Sequence, residues 1–139
     1  MSESFTYRNT TRWIRDKKGV LVMGEDSLGV ATPPEFGGHE GFVSPEDLFV
    51  ASANVCFVVT FAGMCARSGI ELDDFRCEAE GILEKKDMWI FTRITLTPHI
   101  KSKAGREKIE KVLENAKRNC LVANSMKCEV VFESIEISG

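Results

Sequence analysis

The feature that most constrains this chain is an uncharged stretch of nineteen residues, Leu48 to Ala66. Such a run is close to the length that spans a bilayer. It also holds Ser52, Asn54, Thr60 and Gly63, and segments of strand character flank it on both sides. A helix apolar on every face is equally the buried centre of a folded domain, and the flanking strands favour that reading. The boundaries are explicit. Ser44-Pro45-Glu46-Asp47 offers a capping hydroxyl, a proline suited to the first helical position and two acids for the positive helix end. Gly69 supplies a natural stop. The sequence predicts a helix over 45–68.

The surroundings are expected to cover that helix. Phe5 and Tyr7 alternate with polar neighbours, Asp16-Lys17-Lys18-Gly19 and Gly24-Glu25-Asp26-Ser27 read as turns, and a three-stranded meander over 5–32 follows. Pro33 to Phe42, rich in proline and glycine, is a loop. Phe75, Cys77 and Ala79 alternate with charged residues. After a turn at 84–87, Ile90, Ile94, Leu96 and Ile100 share one strand face, so a hairpin is expected. Ile109, Val112, Leu113 and Ala116 form one stripe of an amphipathic helix near 104–118, and Cys120 extends that stripe. Cys128 to Ile137 closes the chain as a last strand. Grouped strands around helices give an α+β class, with antiparallel sheets around a long buried central helix and a second amphipathic helix. At 139 residues there is room for a single domain, 1–139, around one core. So short a chain can barely cover a helix apolar on all sides, and a second subunit is expected to complete the cover.

Composition narrows the function classes. The formal net charge is −3 and the basic residues are scattered among acids, which disfavours nucleic acid as a partner. The N-terminus lacks the basic segment and apolar run of a secretory signal, so a cytoplasmic protein with no membrane partner is expected. Its five cysteines are then thiols by default. No Cys-x-x-Cys occurs and His39 and His99 stand alone, so no metal and no cofactor is expected. Thiol chemistry remains. Cys56 and Cys65 are nine residues apart on one helix and face opposite sides, so they cannot pair. A partner for Cys56 must come from elsewhere, and Cys120 is one choice. Cys65, Cys77 and Cys128 read as plain packing residues.

Several segments together resemble a known family. Ser44-Pro45-Glu46-Asp47-Leu48-Phe49 followed by Ala53-Asn54-Val55-Cys56-Phe57 is similar to Asn-Pro-Glu-Gln-Leu-Phe, then Ala-Ala-Cys-Phe, of the OsmC/Ohr proteins. These are the osmotically induced and organic-hydroperoxide-resistance proteins. Thr32-Pro33-Pro34-Glu35-Phe36-Gly37-Gly38 resembles their Thr-Pro-Lys-Glu-Leu-Gly-Gly. Asn119-Cys120-Leu121-Val122-Ala123-Asn124 resembles their Ala-Cys-Pro-Tyr-Ser-Asn, with Leu121-Val122 in place of Pro-Tyr. Arg15-Asp16 lies at the spacing of an Arg-Asp pair in the peroxidase members, although a short gap would move the match to Arg12.

The resemblance implies an OsmC-like fold in an intertwined homodimer, with active sites at the dimer interface. It implies an organic-hydroperoxide peroxidase with Cys56 and Cys120 as its redox pair. A thiolate, not a thiol, reduces a peroxide, so Arg15 is expected to stabilise the anion at Cys56 and Glu46 to hold the guanidinium. Cys56 becomes a sulfenic acid, Cys120 condenses with it, and a dithiol reductant, lipoyl-type or thioredoxin-like, restores both. Phe42, Phe49, Phe57, Phe61 and Met64 read either as an apolar entrance for alkyl or lipid hydroperoxides or as core. The competing reading is a non-catalytic stress-response or small-ligand-binding protein on the same scaffold, with vestigial or redox-sensing cysteines.

Overall fold

A computed structural model describes residues 3–139. The chain forms two compact units, 1–49 and 50–139, and each is described by itself.

In the first unit, β1 (Thr10–Arg15), β2 (Lys18–Met23) and β3 (Asp26–Ala31) make an antiparallel meander in the order β1-β2-β3. Asp16 and Gly24 turn the chain with positive φ of 50° and 60°. The expected start of the meander at Phe5 is not seen. Residues 5–7 form no strand, and Phe5 and Tyr7 are 78% and 90% exposed. Alternation alone gave those two rings a face with nothing to bury it. The proline-rich loop contains one 3-10 turn, Pro34–Phe36. Next to it, a Cβ added to Gly38 would stand 1.7 Å from the Thr32 carbonyl oxygen, so only glycine fits where the loop folds back on β3.

Helix α1 (Pro45–Arg67) begins in this unit and runs on into the second. Its start is the anticipated cap. The Asp47 N–H donates to Ser44 Oγ at 3.0 Å, while the Ser44 N–H donates back to Asp47 Oδ2 at 2.9 Å. This is a reciprocal capping box with aspartate in the acidic role. At the far end Gly69 adopts φ 70°, and the Ile70 N–H donates to the Cys65 carbonyl at 2.8 Å, a Schellman-type closure.

The second unit pairs β4 (Asp74–Lys85) with β5 (Trp89–Lys101) as a long antiparallel hairpin. Helix α2 (Arg106–Arg118) follows, then a short helix α3 (Leu121–Asn124). The expected last strand is in fact two, β6 (Glu129–Phe132) and β7 (Glu136–Ser138). Both run parallel to β5 along the same edge. Ser134, at φ 52°, breaks the extended backbone between them. The α2 stripe of Ile109, Val112, Leu113 and Ala116 is buried as expected, as are Ile94, Leu96 and Ile100 of β5.

Against these α1 buries Ala53, Phe57, Phe61 and Cys65, one stripe at four-residue spacing. Phe57 is the centre of a ring cluster, 4.8 Å from Phe132, 5.9 Å from Phe61 and 6.1 Å from Phe75 between centroids. Thus Phe57 and Phe61 are core and not an entrance. The other side of α1 is apolar yet uncovered, with Val55 59% and Val59 61% exposed. By length and composition α1 could cross a membrane, but in this fold its buried stripe lies in the core.

Candidate functional site

Cys56 stands one residue before Phe57, so anchoring Phe57 in the core turns Cys56 toward the flank of that stripe, where it is half-buried. Cys120 lies just beyond α2. The chain after it is helical. Cys120 has extended dihedrals, φ −77° and ψ 100°, and acts as the N-cap of α3. The Asn124 N–H donates to its carbonyl at 3.0 Å. Its side chain is buried, and its thiol points to the Ala53 carbonyl on α1 at 3.9 Å. That places it within one helical turn of Cys56, and the two thiols, both reduced, are near enough to influence each other's ionisation.

The electrostatics of the pair are asymmetric. Burial opposes ionisation of Cys56. Hydrogen bonds from the Val122 N–H, the Cys120 thiol, the Thr60 hydroxyl and the Leu121 N–H outweigh it, so this thiol stands below its ordinary range. Cys120 goes the other way. Burial pushes it up, and the neighbouring Cys56 sulfur adds to the rise. Cys56 is therefore the better thiolate and Cys120 the better proton carrier. Burial raises Cys65, and pushes Cys77 up to about 11.

The two remaining residues expected at the site, Arg15 and Glu46, both belong to the first unit. Arg15 ends β1 after a bulge and is exposed. Glu46 occupies the first turn of α1, and its Oε1 is buried without a hydrogen-bond partner among the described residues. Among the described residues no ion pair joins them. Arg12 is likewise exposed on β1. Among the described residues no group of three His, Cys, Asp or Glu side chains is arranged to hold a metal ion. Sequence reasoning did not include Thr60 or the amides of Leu121 and Val122 among the groups that lower Cys56. Thr60 was detectable from its four-residue spacing to Cys56. The amides leave no trace in residue type.

Comparison with known proteins adds a family and a fold. The family model described as OsmC-like protein matches residues 37–134, across the boundary between the two units. A Bacillus subtilis (strain 168) protein called YmaD, itself uncharacterized, is 24% identical over 134 residues, covering 90% of this chain and 89% of its own. The structure of an OsmC-like protein of unknown function from Vibrio cholerae superposes with a TM-score of 0.84 at 24% identity, covering 99% of each chain. The crystal structure of an organic hydroperoxide resistance protein OsmC from Legionella pneumophila gives 0.69 at 22% identity, over 97% of this chain and 98% of that one.

Proposed function

Because the chain belongs to the OsmC-like protein family, we propose that it is a cytoplasmic thiol peroxidase reducing organic hydroperoxides through Cys56 and Cys120. The observation that carries the reading is the placement of the Cys120 thiol against α1 at the Ala53 carbonyl, one turn from Cys56, with the ionisation of Cys56 favoured and that of Cys120 opposed. The name of the Legionella relative, an organic hydroperoxide resistance protein, supports the substrate class.

The chemistry follows from that asymmetry. The Cys56 thiolate attacks one oxygen of the peroxide and the O–O bond breaks. The alkoxide leaves, takes up a proton and departs as the alcohol. Cys56 is now a sulfenic acid. The Cys120 sulfur attacks it, forming the Cys56–Cys120 disulfide and releasing water. A dithiol then reduces the disulfide by exchange, becoming oxidised itself. Arg15 serves as the cation that draws the peroxide and steadies the thiolate. The buried, unpartnered Glu46 Oε1 is the acceptor that would hold such a guanidinium.

The functional form is a homodimer in this reading. The exposed Val55 and Val59 on α1 and Leu121 on α3 are an apolar surface that a second copy would cover. The test is consumption of a dithiol (dihydrolipoamide, then reduced thioredoxin) driven by cumene hydroperoxide, beside sedimentation at micromolar protein. The expected result is catalytic turnover by a dimer. Tight binding without turnover would replace this reading with the stress-protection one.

A further inference from the structure

The sheet of the first unit carries a slot on one face. Trp13, Gly19 and Val30 lie side by side across β1, β2 and β3, so the ring and the valine side chain share that face. The glycine between them leaves the space open. A Cβ at Gly19 would stand 2.9 Å from the Arg12 carbonyl oxygen, so no larger residue fits there without a shift. The result is a groove of about 300 Å³ over Gly19, bounded by Thr11, Trp13, Val30, Thr32, Pro45 and, at the β1–β2 turn, Lys17.

The wall and the charge of this slot define what it fits. The Trp13 indole N–H donates to the Asp16 carbonyl at 2.8 Å. The ring is thereby held in one orientation, yet it is 71% exposed, a fixed aromatic surface turned to solvent. Residues 8–18 hold Arg8, Arg12, Arg15, Lys17 and Lys18 against one acid, Asp16. That carboxylate is taken by His39 at 2.9 Å. Among the described residues none of the five cations forms an ion pair. Lys17 Nζ donates to the Phe36 and Gly37 carbonyls at 3.4 and 3.3 Å, which leaves one of its three N–H donors for a ligand. Cations on either face of one sheet bias the slot toward anions, because salt screens only over roughly 8–10 Å.

We propose that the slot binds a small planar aromatic carboxylate, its ring laid over Gly19 between Trp13 and Val30 and its carboxylate at Lys17. The volume is at the lower end for small-molecule sites and suits a ligand of one or two rings. The ring gains apolar burial and an offset stack on the indole. The carboxylate gains a charge-assisted hydrogen bond from the ammonium. A neutral aromatic has nothing for Lys17, and an aliphatic acid has nothing for Trp13, so the two halves of the slot select together. The inference does not rest on the peroxidase reading, and neither thiol of that reading lines the slot.

The experiment titrates the isotopically labelled 139-residue chain with naphthalene-2-carboxylate and follows its two tryptophan indole N–H signals by NMR, with Trp89→Phe to assign them. The Trp13 signal should shift saturably, with a Kd of about 0.1–1 mM for a ligand of this size, and the Trp89 signal should stay. Naphthalene-2-methanol, the same ring without the charge, should bind about tenfold more weakly. Lys17→Met should weaken the carboxylate by a similar factor and Lys17→Arg should keep it. Trp13→Leu, followed at the Gly19 amide, should weaken it by about tenfold or more. No saturable shift at Trp13 up to about 10 mM carboxylate would overturn the proposal. Equal binding of the alcohol would overturn it too, since the slot would then select no anion. A Trp13 signal that changes with protein concentration and not with ligand would show a second copy seated on the slot, and would also overturn it. Should Lys17→Met disturb the loop through its lost carbonyl bonds, the comparison of acid with alcohol on the unaltered protein decides.

Discussion

Phe57 fixes the turn of α1 that presents Cys56, so Phe57→Ala measures how firmly the core supports the candidate site. The ring is fully buried and meets Phe61, Phe75 and Phe132, from α1, β4 and β6. Truncating a buried phenylalanine to alanine costs roughly 3–5 kcal/mol, and the edge contacts place this site toward the upper end. At about 2.1 cal/mol/K per residue, 139 residues have an unfolding entropy near 0.29 kcal/mol/K. The loss corresponds to a Tm lower by about 10–17 °C. Phe57→Leu retains most of the volume and should lose less than half as much. The assay is thermal unfolding followed by circular dichroism at fixed protomer concentration, since any dimer makes Tm depend on it. A Phe57→Ala protein melting within about 3 °C of wild type would refute the placement of Phe57 in the core.

Three further predictions rest on other residues. Cys56→Ser should abolish peroxide reduction, while Cys120→Ser should react once and leave a sulfenic acid at Cys56 that dimedone labels; label at Cys120 in the Cys56→Ser protein would reverse the roles. At pH 8, iodoacetamide should modify Cys56 and spare Cys77, because burial pushes Cys77 up to about 11; comparable rates at the two sites, by peptide mapping, would contradict this. His99 bridges Glu136 and Glu78 at 2.6 Å each, and these bonds raise it above its ordinary range. A raised folded value means that its stabilising effect is fully present below the unfolded value near 6.5 and is lost as pH rises through the folded one. The Tm gap between wild type and His99→Gln should therefore be widest at pH 6 and narrow above neutrality, and a gap that grows with pH would contradict the clamp.

The sequence made the helices legible because their ends are chemical. Ser44, Pro45 and Gly69 each do at α1 what their side chains or lack of one dictate, and the α2 stripe has the period of its buried face. The β4–β5 hairpin was legible for the same reason. Phe5 and Tyr7 misled because alternation is satisfied by any extended tail, whether or not a partner strand exists. The break between β6 and β7 escaped because one positive φ at Ser134 has no signature in a serine. Helix α3 escaped because four residues are too few to show a period. At the candidate site, spacing left Cys120 as one choice of partner for Cys56 and the family resemblance picked it out, and in the structure its thiol lies against α1 one turn from Cys56. The amides facing Cys56 could not be foreseen, since backbone donors are set by tertiary approach. Nor could the side of α1 that stays open, because an all-apolar helix does not say which of its faces the chain itself will cover.

The central claim is that Cys56 and Cys120 form a redox couple, and intact-protein mass spectrometry tests it most directly. The reduced protein is treated with a substoichiometric amount of cumene hydroperoxide, alkylated under denaturing conditions and weighed, then digested without reductant. The account predicts loss of two alkylatable thiols per peroxide consumed, recovered as a single Cys56–Cys120 linked peptide, and reversal by a dithiol. A protein that keeps all five thiols alkylatable while the peroxide persists, or one that links Cys56 to Cys65, Cys77 or Cys128, would contradict it.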